Sequence, residues 1–291
     1  MLALQILIDG FAISTLYALG ALGFTLIFGV SGVLNLAHGG ILVVAAMIAW
    51  YVGTSLGFGA IEGALAGIVA GILIALLTYL AVVRPINRSR AIPAREREVF
   101  VLTATLLWGV MIEEALSFIF TNSPVTVLPL LPGTIDIAGV RTPSNELLTA
   151  VIAWAVMIAL WLFVNRTKLG RQLLAASINP RALTLLGFEL GTIYLLVWLI
   201  YGLLAGIAGV LLGSFLGTGA DYIPGLTGSA FTIVILGGLG SVSGTLIAAY
   251  LIGYIETFTA YLISPSLREI PALILLILVL YLRPQGLLGR R

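Results

Sequence analysis

The stretch LLTAVIAWAVMIALWLFV, residues 147–164, has no charged side chain at any of its eighteen positions. Hydrocarbon about 30 Å thick is crossed by roughly 20 helical residues, so a run of this kind is a candidate membrane span. Comparable apolar runs recur along the whole chain. They predict spans near residues 5–28, 33–55, 61–83, 99–121, 147–165, 193–217, 227–240, 244–263 and 270–283.

The overall composition supports the same fold class. Hydrophobic residues make up 60% of the 291 residues and charged residues only 9%, whereas soluble domains carry about 25% charged residues. We therefore predict an all-α fold: a polytopic transmembrane helical bundle of about eight to nine membrane segments, in a single domain at residues 1–291. The lack of cysteine in the sequence excludes disulfide bonds, thiolate chemistry and cysteine metal ligands.

Twelve of the fourteen Lys and Arg residues fall in three short stretches. Because positively charged loops stay in the cytoplasm, the pattern predicts cytoplasmic loops at residues 84–98 and 166–191 and a cytoplasmic C-terminus. With nine spans, the N-terminus and the proline-rich loop at residues 122–146 then lie outside. Since this orientation accounts for the basic residues, no nucleic-acid partner is predicted. The three stretches comprise Arg84, Arg88, Arg90, Arg95 and Arg97; Arg166, Lys168, Arg171 and Arg181; and Arg283, Arg290 and Arg291.

Glycine and polar residues interrupt two of the predicted spans. One interruption is residues 29–40, and the other is the glycine-rich end of the seventh segment at Gly237 and Gly238. Irregular backbone is tolerated at membrane depth only where protein or a water-filled cavity satisfies its polar groups. Both regions are thus predicted to be broken or re-entrant, and either a translocation path or a tight helix contact would explain them. Close helix packing is also predicted at three small residues of the sixth segment: Gly202, Gly206 and Gly209.

Polar residues within the spans are candidates for a substrate path, because a polar group at membrane depth needs a partner or a wet cavity. Asn35 and His38, the only histidine, would share one face if their segment is helical. They are either a hydrogen-bonded pair that pins two helices or direct substrate contacts. Glu113, Glu114 and Glu256 either line the path or lie near the outer interface. The predicted path residues are Asn35, His38, Glu113, Glu114, Gly237 and Gly238.

No enzymatic activity is predicted for this chain. A P-loop requires Gly-Lys followed by Ser or Thr, but the only lysine, Lys168, lies between Thr167 and Leu169. Ser31, in a Gly-x-Ser-Gly motif, would be separated from His38 by about 10 Å of helix, too far for a nucleophile and its base. We therefore predict no catalytic residue, no metal site and no cofactor in the chain. ATP and Mg²⁺ would be bound by separate ATPase subunits.

The second basic loop, residues 166–191, contains two predicted short helices. One covers residues 171–177, and the other starts at Pro180, where Asn179 caps it and Gly187 ends it. An apolar segment flanked by arginine suits a groove on another protein. It equally suits an interfacial helix that lies on lipid.

Several of these segments together resemble the LivH-type permeases of branched-chain amino acid ABC importers. The resemblance spans nearly the whole chain, and its most specific parts are the NLAHG run at residues 35–39 and the RPQG run at residues 283–286. Leu174 and Leu183 depart from the family pattern. Other matching parts are GFTLIFG at residues 23–29, Arg84-Pro85, Gly170-Arg171, Asn179-Pro180 and LGGLGS at residues 236–241.

The resemblance implies a subunit of the prokaryotic cytoplasmic (inner) membrane that translocates branched-chain or related amino acids by alternating access. Its implied partners are a second, LivM-type permease, two LivG/LivF-type ATPase subunits, an extracytoplasmic substrate-binding protein and membrane lipid. The second basic loop is similar to the coupling helix with which the family docks into its ATPases. The alternative is a gradient-driven secondary transporter of small polar solutes, with Glu113, Glu114, Glu256 or His38 as its proton site. The matching coupling positions are Gly170, Arg171, Ala175, Ala176, Asn179, Pro180 and Gly187.

Overall fold

The computed structural model describes residues 1–93, 95–120 and 123–289. The predicted elements include five residues outside the described ranges: Ala94 of the loop at 84–98, Thr121 at the end of the fourth predicted span, Asn122 at the start of the predicted exterior loop, and Arg290 and Arg291 of the basic C-terminus. Within the described ranges, nine helical stretches are long and apolar enough to cross a membrane. The predicted polytopic helical bundle is therefore confirmed.

Twelve α-helices form most of the described part of the chain. The π-helical turns Tyr51–Ser55 and Thr78–Val83 continue the second and third helices, so that one span of 29 residues runs over Ala60–Arg88. Short 3-10 turns at Ala220–Tyr222 and Pro265–Leu267 precede the tenth and twelfth helices. The helices are α1 (Leu2–Ser31), α2 (His38–Trp50), α3 (Ala60–Leu77), α4 (Arg84–Arg88), α5 (Arg97–Ile119), α6 (Ser144–Arg166), α7 (Lys168–Ile178), α8 (Pro180–Leu185), α9 (Leu190–Phe215), α10 (Ile223–Gly237), α11 (Val242–Leu262) and α12 (Glu269–Leu282).

Helices α1, α2 and α9 form the centre of the bundle, and α5, α6 and α12 lie at its periphery. α1 packs along α9 and α11, while α3 packs along α9 and α2. The largest buried side chains, among them Phe24, Trp198 and Tyr201, come from α1 and α9. Lipid tails are as apolar as leucine, so the peripheral helices need only one packed face.

Glycines on one face of α9 let two neighbouring helices approach at backbone distance. A Cβ on Gly206 would lie 2.9 Å from the carbonyl oxygen of Ile68 in α3. A Cβ on Gly209 would lie 2.8 Å from the carbonyl carbon of Leu42 in α2, and Gly202 also faces the backbone of α3. The predicted close packing of the sixth segment is confirmed.

Replacing Gly209 with alanine is expected to lower the stability of the chain by about 1–3 kcal/mol, because the added methyl group overlaps the backbone of α2 and forces the helices apart. Gly228→Ala is the matched control, since Gly228 lies in α10 and nothing lies within 4 Å of an added Cβ. The melting temperature of the solubilised chain should fall for the first variant and hold or rise for the second. Equal melting temperatures would contradict the backbone contact between α2 and α9.

A short β-hairpin, which was not predicted from the sequence, lies between α5 and α6. Its strands, β1 (Thr134–Ile137) and β2 (Val140–Pro143), pair antiparallel. The turn contains Gly139 with φ of 83°, and the Asp136 carboxylate accepts a hydrogen bond from the Gly139 N–H at 2.8 Å. A glycine with positive φ is what a tight hairpin turn requires. The hairpin was missed because the segment around it is rich in proline and polar residues, which indicated a loop.

Helix α6 begins at Ser144, inside the loop predicted for residues 122–146. Its first turn consists of polar residues but is buried, because its side chains form hydrogen bonds with neighbouring segments. The Asn145 Oδ1 accepts from the Leu130 N–H at 3.0 Å, and its Nδ2 donates to the Ser214 hydroxyl at 3.2 Å. The connection between α5 and α6 is therefore shorter than the sequence predicted, and it is tied to α9.

Candidate functional site

The interruption after α1 lies inside the bundle and is satisfied by protein groups. Residues 32–37 are not helical, and α2 starts at His38, whose ring stacks on that of Phe24 with 5.3 Å between centroids. Phe24 lies within α1, so the chain turns back alongside α1 before α2 begins. The Leu36 N–H donates to the Oγ1 of the buried Thr105 at 3.2 Å. The predicted broken span at this point is confirmed.

Asn35, His38 and Tyr201 form one fully buried cluster at the centre of the bundle. The Asn35 Nδ2 donates to the Tyr201 hydroxyl at 2.9 Å, and that hydroxyl lies 2.8 Å from the His38 Nδ1. With Asn35 donating to the hydroxyl oxygen, the geometry suits donation of the phenol's own proton to Nδ1, which corresponds to the tautomer with the imidazole proton on Nε2. Asn35 precedes α2, so the two predicted residues meet through Tyr201 instead of sharing a helical face.

A cavity of about 430 Å³, here called the vestibule, lies between α1, α2, α9 and α10. Asp221 and Arg268 line it, in the connections α9–α10 and α11–α12. The basic residues 84–97 and 166–181 lie in connections at the other ends of these spans, because successive spans cross in alternating directions. The vestibule thus opens at the end of the bundle opposite the basic loops.

A small chamber of about 10 Å³ lies next to the vestibule, toward the centre of the bundle. The two spaces share Tyr17, Leu212 and Ser229 as walls. His38 lines the chamber, and its Nε2 has no hydrogen-bond partner among the described residues. The His38 Nε2, a polar atom without a partner among the described residues, therefore borders a chamber next to the vestibule.

Glu256 of α11 is buried behind α10. It is 4% exposed, and the Tyr17 hydroxyl donates to its Oε2 at 2.8 Å. Glu256 lines a second cavity of about 280 Å³ between α10, α11 and α12. Ser229 lines both this cavity and the vestibule, so α10 separates the two spaces. The carboxylate is adjacent to the vestibule without lining it.

The remaining predicted path residues lie away from the Asn35 cluster. On α5, Glu113 is half-buried and Glu114 is exposed. Gly237 ends α10, and a Cβ there would lie 2.5 Å from the carbonyl carbon of Gly244 in α11. For this interruption the geometry favours a tight helix contact over an open path.

The last described residues fasten α12 to α10. The Leu287 N–H donates to the Leu236 carbonyl at 2.8 Å, and the Leu288 N–H donates to the Gly237 carbonyl at 3.1 Å. Gly238, with φ of 101°, leaves room for the crossing backbone. We call residues 283–289 the clasp.

Both helices predicted in the second basic loop are present, as α7 and α8. The Asn179 Oδ1 accepts from the Ala182 N–H at 3.0 Å and caps α8. Pro180 lies in the first turn of α8, and Gly187, with φ of 85°, follows its end. The predicted cap and stop are confirmed.

Helices α7 and α8 have one face against the bundle and one face free. The buried face includes Leu173 and Leu183, which belong to the same core cluster as α1 and α9. The free face carries an apolar ridge, defined as Leu174, Ile178, Leu185 and Leu186, whose side chains are 46%, 71%, 88% and 74% exposed. Of the predicted coupling positions, the buried ones are Gly170 and Ala176, the half-buried ones Ala175 and Pro180, and the exposed ones Arg171, Asn179 and Gly187.

Comparison with known proteins relates the chain to transport permeases. The profile of a family described as "Branched-chain amino acid transport system / permease component" matches residues 6–280. The high-affinity branched-chain amino acid transport system permease protein BraD of Pseudomonas aeruginosa is 30% identical over 99% of this chain and 96% of its own length. The permease protein LivH of Salmonella typhimurium is 27% identical over the same shares. A probable LivH of Methanocaldococcus jannaschii is 28% identical over 95% of this chain and 89% of its own.

Proposed function

Because the chain belongs to the family of branched-chain amino acid transport system permease components, we propose that it forms the membrane path of an ABC importer together with separate ATPase subunits. It is a membrane-spanning permease subunit with nine spans in its described part. The observation that carries the proposal is the apolar ridge on α7 and α8, which is exposed on one side and anchored in the core on the other. Transport would proceed by alternating access between two packings of the helices.

We propose that the end of the bundle with the basic loops faces the cytoplasm. The N-terminus and the vestibule then lie on the outer side. A substrate-binding protein would dock on the connections around the vestibule and on the β-hairpin. The family's inner-membrane location suits this orientation.

The ridge is proposed to enter a groove on an ATPase subunit, with Arg171 and Arg181 at its edges. The four exposed apolar side chains of the ridge would supply the anchors that helix-in-groove binding uses. Gly170 and Ala176 would then act from the inner side, by holding α7 against the bundle, and not by touching the ATPase. Movement of the ATPases would reach α1 and α9 through Leu173 and Leu183.

Replacing Asn179 with alanine is expected to lower the recovery of ATPase with the chain severalfold, because loss of the cap costs α8 about 1 kcal/mol. Asn179→Asp retains an oxygen for the Ala182 N–H and should behave like the wild type. Quantitative mass spectrometry of the captured complex measures the effect. If the aspartate variant loses as much ATPase as the alanine variant, the amide itself contacts the partner.

The outer face of α5 is proposed to meet the second permease. Glu114 is exposed within a predicted span, and Glu113 is half-buried beside it. A carboxylate facing lipid is costly, so a second subunit or a hydrated path between the subunits would cover this face. Asn35 and His38 are proposed to lie at the inner end of the path from the vestibule.

The test is affinity capture of the tagged chain from its native membrane, followed by identification of bound proteins and reconstitution into proteoliposomes. We expect ATPase subunits and a second permease in the capture, and leucine uptake only when ATP and the binding protein are supplied. The chain alone should not transport in a pH gradient. Uptake by the chain alone would overturn the proposal in favour of a gradient-driven carrier, for which the buried Glu256 would be the first proton site to examine.

A further inference from the structure

The vestibule contains a basic residue where the charge distribution of the chain disfavours one. Outside the three basic stretches the sequence has two basic residues, Arg141 and Arg268. Arg141 lies on the β-hairpin, whereas Arg268 lines the vestibule. Among the described residues, the Arg268 guanidinium makes one ion-pair contact, 4.0 Å from its Nε to the Glu269 Oε1. Its terminal nitrogens, the pair that binds a carboxylate in two parallel hydrogen bonds, are left for a ligand.

A buried hydroxyl in the same cavity also has no partner. Thr218 is 2% exposed, it lines the vestibule, and its Oγ1 makes no hydrogen bond within the described residues. Its backbone is held by a two-way pairing with Val125, at 2.7 and 2.8 Å, so the hydroxyl is positioned by the fold. A buried polar group without a partner costs about 1–3 kcal/mol. A ligand that hydrogen bonds to this hydroxyl would remove that cost.

The rest of the vestibule supplies opposite charge and an apolar wall. Asp221 and Glu269 place two carboxylates at the same cavity as Arg268. The volume, about 430 Å³, falls in the range of about 300–1,000 Å³ that is typical of small-molecule sites. The apolar part of the lining comes from Leu42, Val43, Leu212 and Leu226.

We propose that the vestibule is a binding site for one zwitterionic amino acid with an apolar side chain, and that this site is complete within the single chain. Arg268 and Thr218 receive the carboxylate, Asp221 and Glu269 receive the ammonium group, and the apolar wall takes the side chain. A cation and two anions in one cavity match a zwitterion better than either a simple anion or a simple cation. This inference rests on the proposed function and adds to it a substrate site on the permease itself.

The test is equilibrium binding of radiolabelled leucine to the captured complex in lipid nanodiscs, without binding protein and without nucleotide. We expect saturable binding at or below millimolar concentration. Isoleucine should compete with leucine for the site. Two analogues should compete poorly: isoamylamine, which lacks the carboxylate, and 4-methylpentanoate, which lacks the ammonium group. Arg268→Gln should weaken binding roughly tenfold to a hundredfold, and Thr218→Val severalfold.

Arg141→Gln is the matched control. It also removes an arginine from this end of the bundle, but Arg141 lies on the β-hairpin and does not line the vestibule. This variant should leave leucine binding unchanged. No variant should melt below the wild type, Thr218→Val should melt at or above it because it removes an unpaired buried hydroxyl, and all should retain the wild-type ATPase content, which separates a lost site from a lost fold. Absence of saturable binding, equal binding by the Arg268→Gln and Arg141→Gln complexes, or full competition by isoamylamine would each overturn the inference. If ATP-driven uptake is intact in any of those cases, the importer function stands and only the vestibule site is refuted.

Discussion

Replacing Ile178 and Leu185 together with aspartate is expected to abolish ATP-driven uptake and the recovery of ATPase with the chain. The two side chains are 71% and 88% exposed, so the substitutions cost the folded permease little. In a docked groove they remove two apolar anchors, worth about 2 kcal/mol each, and bury carboxylates without partners. Affinity for the ATPase should fall by more than about a hundredfold. Quantitative mass spectrometry of the capture and uptake by proteoliposomes measure the two effects.

The matched control carries the same double substitution at the opposite end of the bundle. Leu56 and Phe58 are 52% and 62% exposed in the connection between α2 and α3, where no ATPase is proposed to bind. Leu56→Asp with Phe58→Asp should retain ATPase and keep a normal melting temperature. Normal ATPase recovery by the ridge variant would refute the docking proposal and leave the ridge as a lipid-facing surface.

Replacing Tyr201 with phenylalanine is expected to be the most damaging single change at the centre of the bundle. The variant keeps the ring but leaves the Asn35 Nδ2 and the His38 Nδ1 without the hydroxyl that both contact. Each buried group left unpaired costs about 1–3 kcal/mol. We expect a loss of about 2–6 kcal/mol in stability, seen as a lower melting temperature, together with slower uptake as His38 loses its fixed orientation.

Tyr194→Phe is the control for the loss of a phenol oxygen on the same helix. Tyr194 is half-buried on α9, and within the described residues its hydroxyl has no hydrogen bond to lose. The control should melt close to the wild type. If the two variants melt alike, the hydrogen bonds of the Tyr201 hydroxyl contribute little, and the Asn35 segment is held by packing.

The sequence predicted the spans because their signal is local. An apolar run such as residues 147–164 is long enough to cross a membrane whatever surrounds it. The cap and stop of α8 were equally readable, since Asn179, Pro180 and Gly187 act on their own helix. The hairpin was not readable, because its pairing depends on a turn inside a segment that looked like an irregular loop.

Only part of the candidate site could be predicted from the sequence. Asn35 and His38 were conspicuous because polar groups are rare in apolar spans. Tyr201 was not, because a tyrosine ring packs well in an apolar helix and its hydroxyl partners lie 163 and 166 positions earlier in the chain. In the second basic loop, the inward orientation of Gly170 and Ala176 could not be predicted, since it depends on how α7 packs on α1 and α9. The only indication of Tyr201 in the sequence was that its hydroxyl group lies in the middle of a predicted span.

The clasp makes α10 and α12 two arms joined at one end. Backbone hydrogen bonds from residues 287 and 288 hold one pair of ends of α10 and α12 together, while the far ends border the two cavities. Two helices joined in this way separate by rigid-body rotation about the clasp, and the displacement of each residue grows with its distance from the clasp. Along the 15 residues of α10, about 22 Å of helix, a rotation of about 5° moves the far end by about 2 Å. A small tilt at the joint would therefore be amplified into a widening of the cavities at the other side of the membrane.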